Sequence, residues 1–176
     1  MWKLLLVKLW MSLATICMGY VTFTNLNCSS YNLDYLSFPT CQIKAVNRTH
    51  KYINIYAKIY KFPVTESWIN VKFRRFDNGY KPFFLDLSYD GCKFMKKQDN
   101  IIAQAFYRTF QRSSNMNHTC PYNHDIIIDK LYTGNLEKEF GRFIPIPNGA
   151  YALYTEWRIN NVLRASVKFY LKISEY

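Results

Sequence analysis

Most of this chain alternates apolar and polar side chains with a period of two, the signature of half-buried strands. From His50 to Phe62, Ile53, Ile55, Ala57 and Ile59 fall on one side. Tyr52, Asn54, Tyr56, Lys58 and Tyr60 fall on the other, and Pro63 ends the run. Trp68 to Phe76 repeats the pattern, with Ile69, Val71 and Phe73 inward and Asn70, Lys72 and Arg74 outward. Asp77-Asn78-Gly79 is a hairpin turn signal. Beyond it Phe83, Leu85 and Leu87 alternate with Phe84, Asp86 and Ser88 as far as Asp90-Gly91-Cys92. Val21 to Leu26 predicts a short first strand ahead of Cys28, and Ile126 to Leu131 another. Ile144-Pro145-Ile146-Pro147 reads as extended, but its prolines exclude a central strand. Two long strands close the chain. Tyr151, Leu153, Thr155, Trp157 and Ile159 form the inner row of one; Leu163, Ala165, Val167, Phe169, Leu171 and Ile173 form that of the other. Asn148-Gly149 and Asn160-Asn161 supply the turns.

One segment departs from the two-residue period. Ile102, Phe106 and Phe110 recur every four residues, predicting an amphipathic helix from about Asp99 to Ser113. The fold class that follows is mainly β: an immunoglobulin-like antiparallel sandwich of six to seven strands, with one short helix inserted between Cys92 and Cys120. Strands polar on one side fit antiparallel pairing better than a buried parallel sheet.

The first 19 residues stand apart. Lys3 precedes Leu4-Leu5-Leu6-Val7, and after Lys8 an apolar run extends from Leu9 to Met18. A basic start, a short apolar stretch and small residues predict a secretory signal peptide over 1–19, cut near Gly19-Tyr20, with one domain over 20–176. The run is too short and too interrupted for the roughly 20 residues that span a bilayer. Once Cys17 is removed, Cys28, Cys41, Cys92 and Cys120 remain, an even set that reads as a disulfide framework. Four cysteines allow three pairings. Cys28–Cys41 with Cys92–Cys120 is favoured because each bridge closes a local loop without crossing the other. Asn27-Cys28-Ser29, Asn47-Arg48-Thr49 and Asn117-His118-Thr119 are glycosylation sequons, Asn47 the best placed of the three asparagines. All of this predicts a secreted, extracellular protein.

Charge and chemistry narrow the function classes. The formal net charge is +11, two units of which leave with Lys3 and Lys8. Lys72, Arg74, Arg75, Lys96, Lys97, Arg108 and Arg112 form either a basic rim for anionic partners or ordinary solvated faces. A secreted chain without a recognition motif is not expected to bind nucleic acid. The only histidines are His50, His118 and His124; Cys120 between the last two hints at metal, but a disulfide is its better use. Glu137 and Glu139 lie in a charged stretch, and no nucleophile elbow, zinc-protease or phosphate-loop motif is present. The expectation is a non-enzymatic binding protein with no cofactor and no metal.

Several runs carry a resemblance. Cys28 at the end of a first strand, Asp90-Gly91-Cys92, Cys120-Pro121, Lys130-Leu131 and a Trp157-bearing penultimate strand are similar in order to the MD-2-related lipid-recognition sandwich, which includes the Niemann-Pick type sterol carrier. The chain more closely resembles a large family of secreted insect proteins of unknown function. The shared runs are Lys44-Ala45-Val46-Asn47-Arg48-Thr49, Phe76-Asp77-Asn78-Gly79-Tyr80-Lys81-Pro82-Phe83 and Asn115-Met116-Asn117-His118-Thr119-Cys120-Pro121-Tyr122. The lipid-recognition pattern usually ties its first cysteine to the last strand, which has none here, leaving Cys41 as the spare partner for Cys28.

The resemblance implies splayed sheets with an apolar pocket between them. Its wall would be Ile53, Ile55, Ile59, Ile69, Val71 and Phe73, with Phe83, Leu85, Leu87, Leu153, Trp157, Phe169 and Leu171, and with Phe106 and Phe110 from the helix as a gate. The ligand would be a lipid or other hydrophobic small molecule, held by about 0.8 kcal/mol per buried CH₂. The resemblance also implies a carrier role near chemosensory receptors, with a membrane receptor as a further partner. The same residues could instead fill a dry core. The function would then be protein binding through an exposed face of Tyr52, Tyr56, Tyr60, Tyr154 and Tyr170.

Overall fold

The structure is a computed structural model that describes residues 20–47, 51–132 and 146–174. The predicted leader over 1–19, His50, Arg48 and Thr49 of one sequon, Glu137, Glu139 and Ile144-Pro145 all lie outside the described residues. Eight strands are present among the described residues: β1 (Tyr20–Ser30), β2 (Leu36–Ala45), β3 (Lys51–Ile59), β4 (Trp68–Phe76), β5 (Tyr80–Asp90), β6 (Ile126–Tyr132), β7 (Gly149–Ile159) and β8 (Val162–Ser174). Between β5 and β6 come helices α1 (Gly91–Lys97) and α2 (Ile101–Phe110). A five-stranded sheet, in the order β1-β8-β7-β4-β5, faces a three-stranded sheet, β2-β3-β6. Every strand pairing is antiparallel.

The period-two rows do what their chemistry demands. Ile53, Ile55, Ala57 and Ile59 of β3 are buried, as are Ile69, Val71 and Phe73 of β4 and Leu153, Thr155, Val167 and Leu171 of β7 and β8. The hairpins form where the backbone must turn left-handed, at Asn78 (φ 50°) with Gly79 (φ 121°) and at Asn160 (φ 51°) with Asn161 (φ 60°). Asn and Gly carry this conformation at least cost.

Two elements depart from the sequence reading. β2 brings the strand count to eight rather than six or seven. Its sequence hides the period because Pro39 sits at a register shift between Ser37 and Thr40, and β2 is an edge strand, where a proline and a bulge are tolerated. The segment after Cys92 holds two helices instead of one. α1 has seven residues, too few to display a helical repeat. Asp90 caps it by accepting from Lys93 N at 3.0 Å. α2 falls within the predicted span, but its cap is Asn100, whose Oδ1 accepts from Ile102 N (3.1 Å) and Ala103 N (2.9 Å).

The five-stranded sheet is wider than its partner, and the helices cover the difference. Phe94 of α1 and Ala103, Phe106 and Phe110 of α2 join Phe23, Ile55, Ile69, Leu153 and Val167 in one core cluster. Two disulfides fix the layers. Cys28–Cys41 joins edge strand β1 of one sheet to edge strand β2 of the other, with 6.1 Å between Cα atoms. Cys92–Cys120 ties α1 to the segment ahead of β6, with 5.3 Å between Cα atoms. Of the three connectivities four cysteines allow, this is the one in which both bridges are local.

Candidate functional site

Between the two sheets lies a cavity of about 160 Å³. The five-stranded sheet contributes Phe23, Ile69, Leu153 and Val167 to its wall, and the three-stranded sheet Ile55, Ile59 and Leu131. Phe106 and Phe110 form the helical side, their rings 5.3 Å apart edge to face. Trp157, Phe169 and Leu171 complete the set of sequence-predicted residues found at the cavity. Both phenylalanines of α2 are thus fixed parts of the wall, below 10 % exposed.

The other six predicted wall residues lie elsewhere. Ile53 and Val71 are buried in the core cluster without reaching the cavity. Phe73 stacks on Tyr151 with centroids 5.3 Å apart and stands 6.1 Å from Phe83, which is itself 5.7 Å from Tyr151. This ring cluster fills the space between the sheets at that end. Phe83, Leu85 and Leu87 pack half-buried on β5, the edge strand of the wider sheet. Alternation identifies the inner side of a strand, but not whether an inner side chain meets a void or another ring.

Sequence reasoning did not foresee Phe38, Tyr89, Phe94, Met95, Met116 and Tyr122 in the wall. Phe94 and Met95 belong to the short helix, and Met116 and Tyr122 to irregular chain, so no period marked them. Phe23 and Leu131 sit on the predicted strands but were not among the predicted wall residues.

Most polar groups at the cavity are spent within the protein. Thr155 Oγ1 donates to Val167 O at 3.0 Å and accepts from Trp157 Nε1 at 3.0 Å. Thr109 Oγ1 donates to Phe106 O at 2.7 Å, and Tyr107 OH to Met116 O at 2.8 Å. Tyr122 OH donates to His118 O, and burial pushes its phenol up to about 12. What these residues show the cavity is therefore largely hydrocarbon, a surface that excludes charge and favours apolar guests.

Outside the cavity, His118 Nε2 and His124 Nε2 meet at 3.0 Å, with ring centroids 5.3 Å apart. Cys120, between them in sequence, is engaged with Cys92. Among the described residues no group of three or more His, Cys, Asp or Glu side chains is arranged to hold a metal. Three of the basic residues picked out by the sequence do not stand free. Lys72 pairs with Glu156 at 3.3 Å, Lys97 with Asp99 at 3.5 Å, and Arg74 lies over the Tyr154 ring. The five tyrosines do not share a face. Tyr52 and Tyr56 stand on the outer side of the three-stranded sheet, where Tyr56 OH donates to Asp125 at 2.7 Å. Tyr154 and Tyr170 stand on the outer side of the five-stranded sheet, with Tyr80. Asn27, Asn47 and Asn117 are all exposed.

Residues 69–153 match the model of a family described as a protein of unknown function (DUF1091). The matched stretch begins in β4 and ends in β7, so it includes both helices and the Cys92–Cys120 bridge. No curated protein matches the chain. No helix among the described residues is long and apolar enough to cross a membrane.

Proposed function

We propose that this protein is a secreted, non-enzymatic binding protein that encloses a small hydrophobic molecule between its sheets. The observation that carries the reading is the apolar cavity of about 160 Å³. A cavity of roughly 150 Å³ lined by Leu, Ile and Phe admits benzene, whereas pockets for drug-sized ligands run from roughly 300 to 1,000 Å³. The guest is accordingly compact: a single ring, a short branched chain, or the end of a longer chain whose remainder stays outside. The leader, the disulfides and the sequons support secretion, and the similarity to the lipid-recognition sandwich supports a carrier role.

Native mass spectrometry of protein secreted by cultured cells tests this reading. A co-purified small-molecule adduct is expected, absent from Ala165→Leu, which places three extra carbons at the cavity wall. Bare wild-type protein that also takes up no added benzene or toluene overturns the reading.

A second reading, protein binding, rests on the Tyr80, Tyr154 and Tyr170 cluster. Its centroids lie 5.2–6.3 Å apart, with Arg74 and Lys168 over the Tyr154 ring. Tyrosine and arginine side chains are enriched at protein interfaces. Loss of partner capture in Tyr154→Ser and Tyr170→Ser, with the cavity variant unaffected, would favour it.

A further inference from the structure

One corner of the cavity differs from the rest. Ser67 and Tyr89 both line it, and neither hydroxyl has a hydrogen-bond partner among the described residues. Thr109, Thr155, Tyr107, Tyr122 and Trp157 have all committed their polar hydrogens to protein acceptors. The two free hydroxyls are neighbours by register. Tyr89 on β5 lies opposite Ile69 on β4, and Ser67, two residues before Ile69, receives the Gly91 N–H on its carbonyl at 2.7 Å. Since side chains two apart share a face, Ser67, Ile69 and Tyr89 all point inward at the same end. Gly91 lies across from Ser67, and Ile69 and the Ser67 carbonyl close in on it: a Cβ there would stand 3.0 Å from Ile69 Cδ1 and 3.3 Å from Ser67 O.

Ser67 and Tyr89 are half-buried, and a guest that displaces water from their hydroxyls without replacing its hydrogen bonds loses affinity. Burial raises the Tyr89 phenol well above its ordinary value, so it stays a neutral donor at any physiological pH. The geometry points to a guest that is apolar over most of its surface but carries one hydrogen-bond-accepting oxygen, a ketone, aldehyde, ester or alcohol, seated against Tyr89 and Ser67. A plain hydrocarbon would leave both hydroxyls unmet. This inference rests on the cavity-binding reading and adds the ligand's chemical class and orientation to it.

The test is calorimetric titration of the full mature protein with two probes of equal size, cyclohexanone and methylcyclohexane. Wild type, Tyr89→Phe and Ser67→Ala are compared. One hydrogen bond corresponds to a change of roughly 3- to 10-fold in affinity. Tyr89→Phe is therefore expected to weaken cyclohexanone by about that factor while leaving methylcyclohexane unchanged or tighter, with Ser67→Ala acting in the same direction. Variants that shift both probes equally, or neither, overturn the inference while leaving the cavity-binding reading in place. Wild-type protein that binds neither probe overturns both. Should Tyr89→Phe fold poorly, Ser67→Ala and the wild-type difference spectrum of the Tyr89 phenol on adding cyclohexanone decide the matter, an unperturbed phenol counting against the proposal.

Discussion

Single residues set the local geometry that the sheets then exploit. Asp90 ends β5 and caps α1, and replacing it with alanine strips Lys93 N of its acceptor. Asp90→Ala should cost about 1 kcal/mol, read as a lower urea midpoint with unchanged slope. Asp125 is a second such residue. Burial by itself would raise its carboxyl, but hydrogen bonds from Tyr56 OH (2.7 Å) and Ile59 N (2.8 Å) outweigh it, and the carboxyl is held below the ordinary range. A depressed folded value means a stability contribution that is fully present above the unfolded value of about 3.9. It disappears as pH falls through the folded value. The stability gap between wild type and Asp125→Asn should therefore be largest near neutrality and close as urea titrations are taken down to about pH 3. A gap that widens toward acid would contradict this assignment.

At the scale of elements, the disulfides and helices hold the layers at their spacing. Cys28–Cys41 closes a short loop between edge strands of opposite sheets, with a sequence separation of 13 residues. The loop-entropy model assigns such a bridge about 3 kcal/mol, so Cys28→Ala with Cys41→Ala should lower unfolding free energy by about that amount. Phe106→Ala should destabilise by about 3 kcal/mol and enlarge the cavity from its helical side. Its check is uptake of a larger aromatic, naphthalene, that wild type admits less well. How much of these elements the sequence makes legible depends on their regularity. β3, β4, β7 and β8 announce themselves because each has one buried and one solvated side. β2 does not, since Pro39 and its bulge break the alternation on an edge where irregularity costs little. α1 is likewise too short to show a repeat and is marked only by its Asp90-Gly91 start. The cavity wall was half legible for the same reason: the rows of inner residues follow from period two, but the filling of one end by Phe73, Phe83 and Tyr151 depends on ring packing across strands far apart in sequence.

For the whole molecule, an unequal pair of sheets decides what the fold can do. Five strands cannot be covered by three, so two helices complete the second layer, and packing between dissimilar elements leaves space that two matched sheets would close. Unlike a fully packed core, such a space has vacancies to offer a guest without unfolding. The most direct measurement is methyl NMR of isotope-labelled protein titrated with toluene. The account predicts saturable shifts confined to methyls that line the cavity, those of Ile55, Ile59, Leu131, Leu153 and Val167, with Ile53 and Val71 little moved. Shifts absent from the cavity methyls, or spread over the surface without saturation, would contradict it.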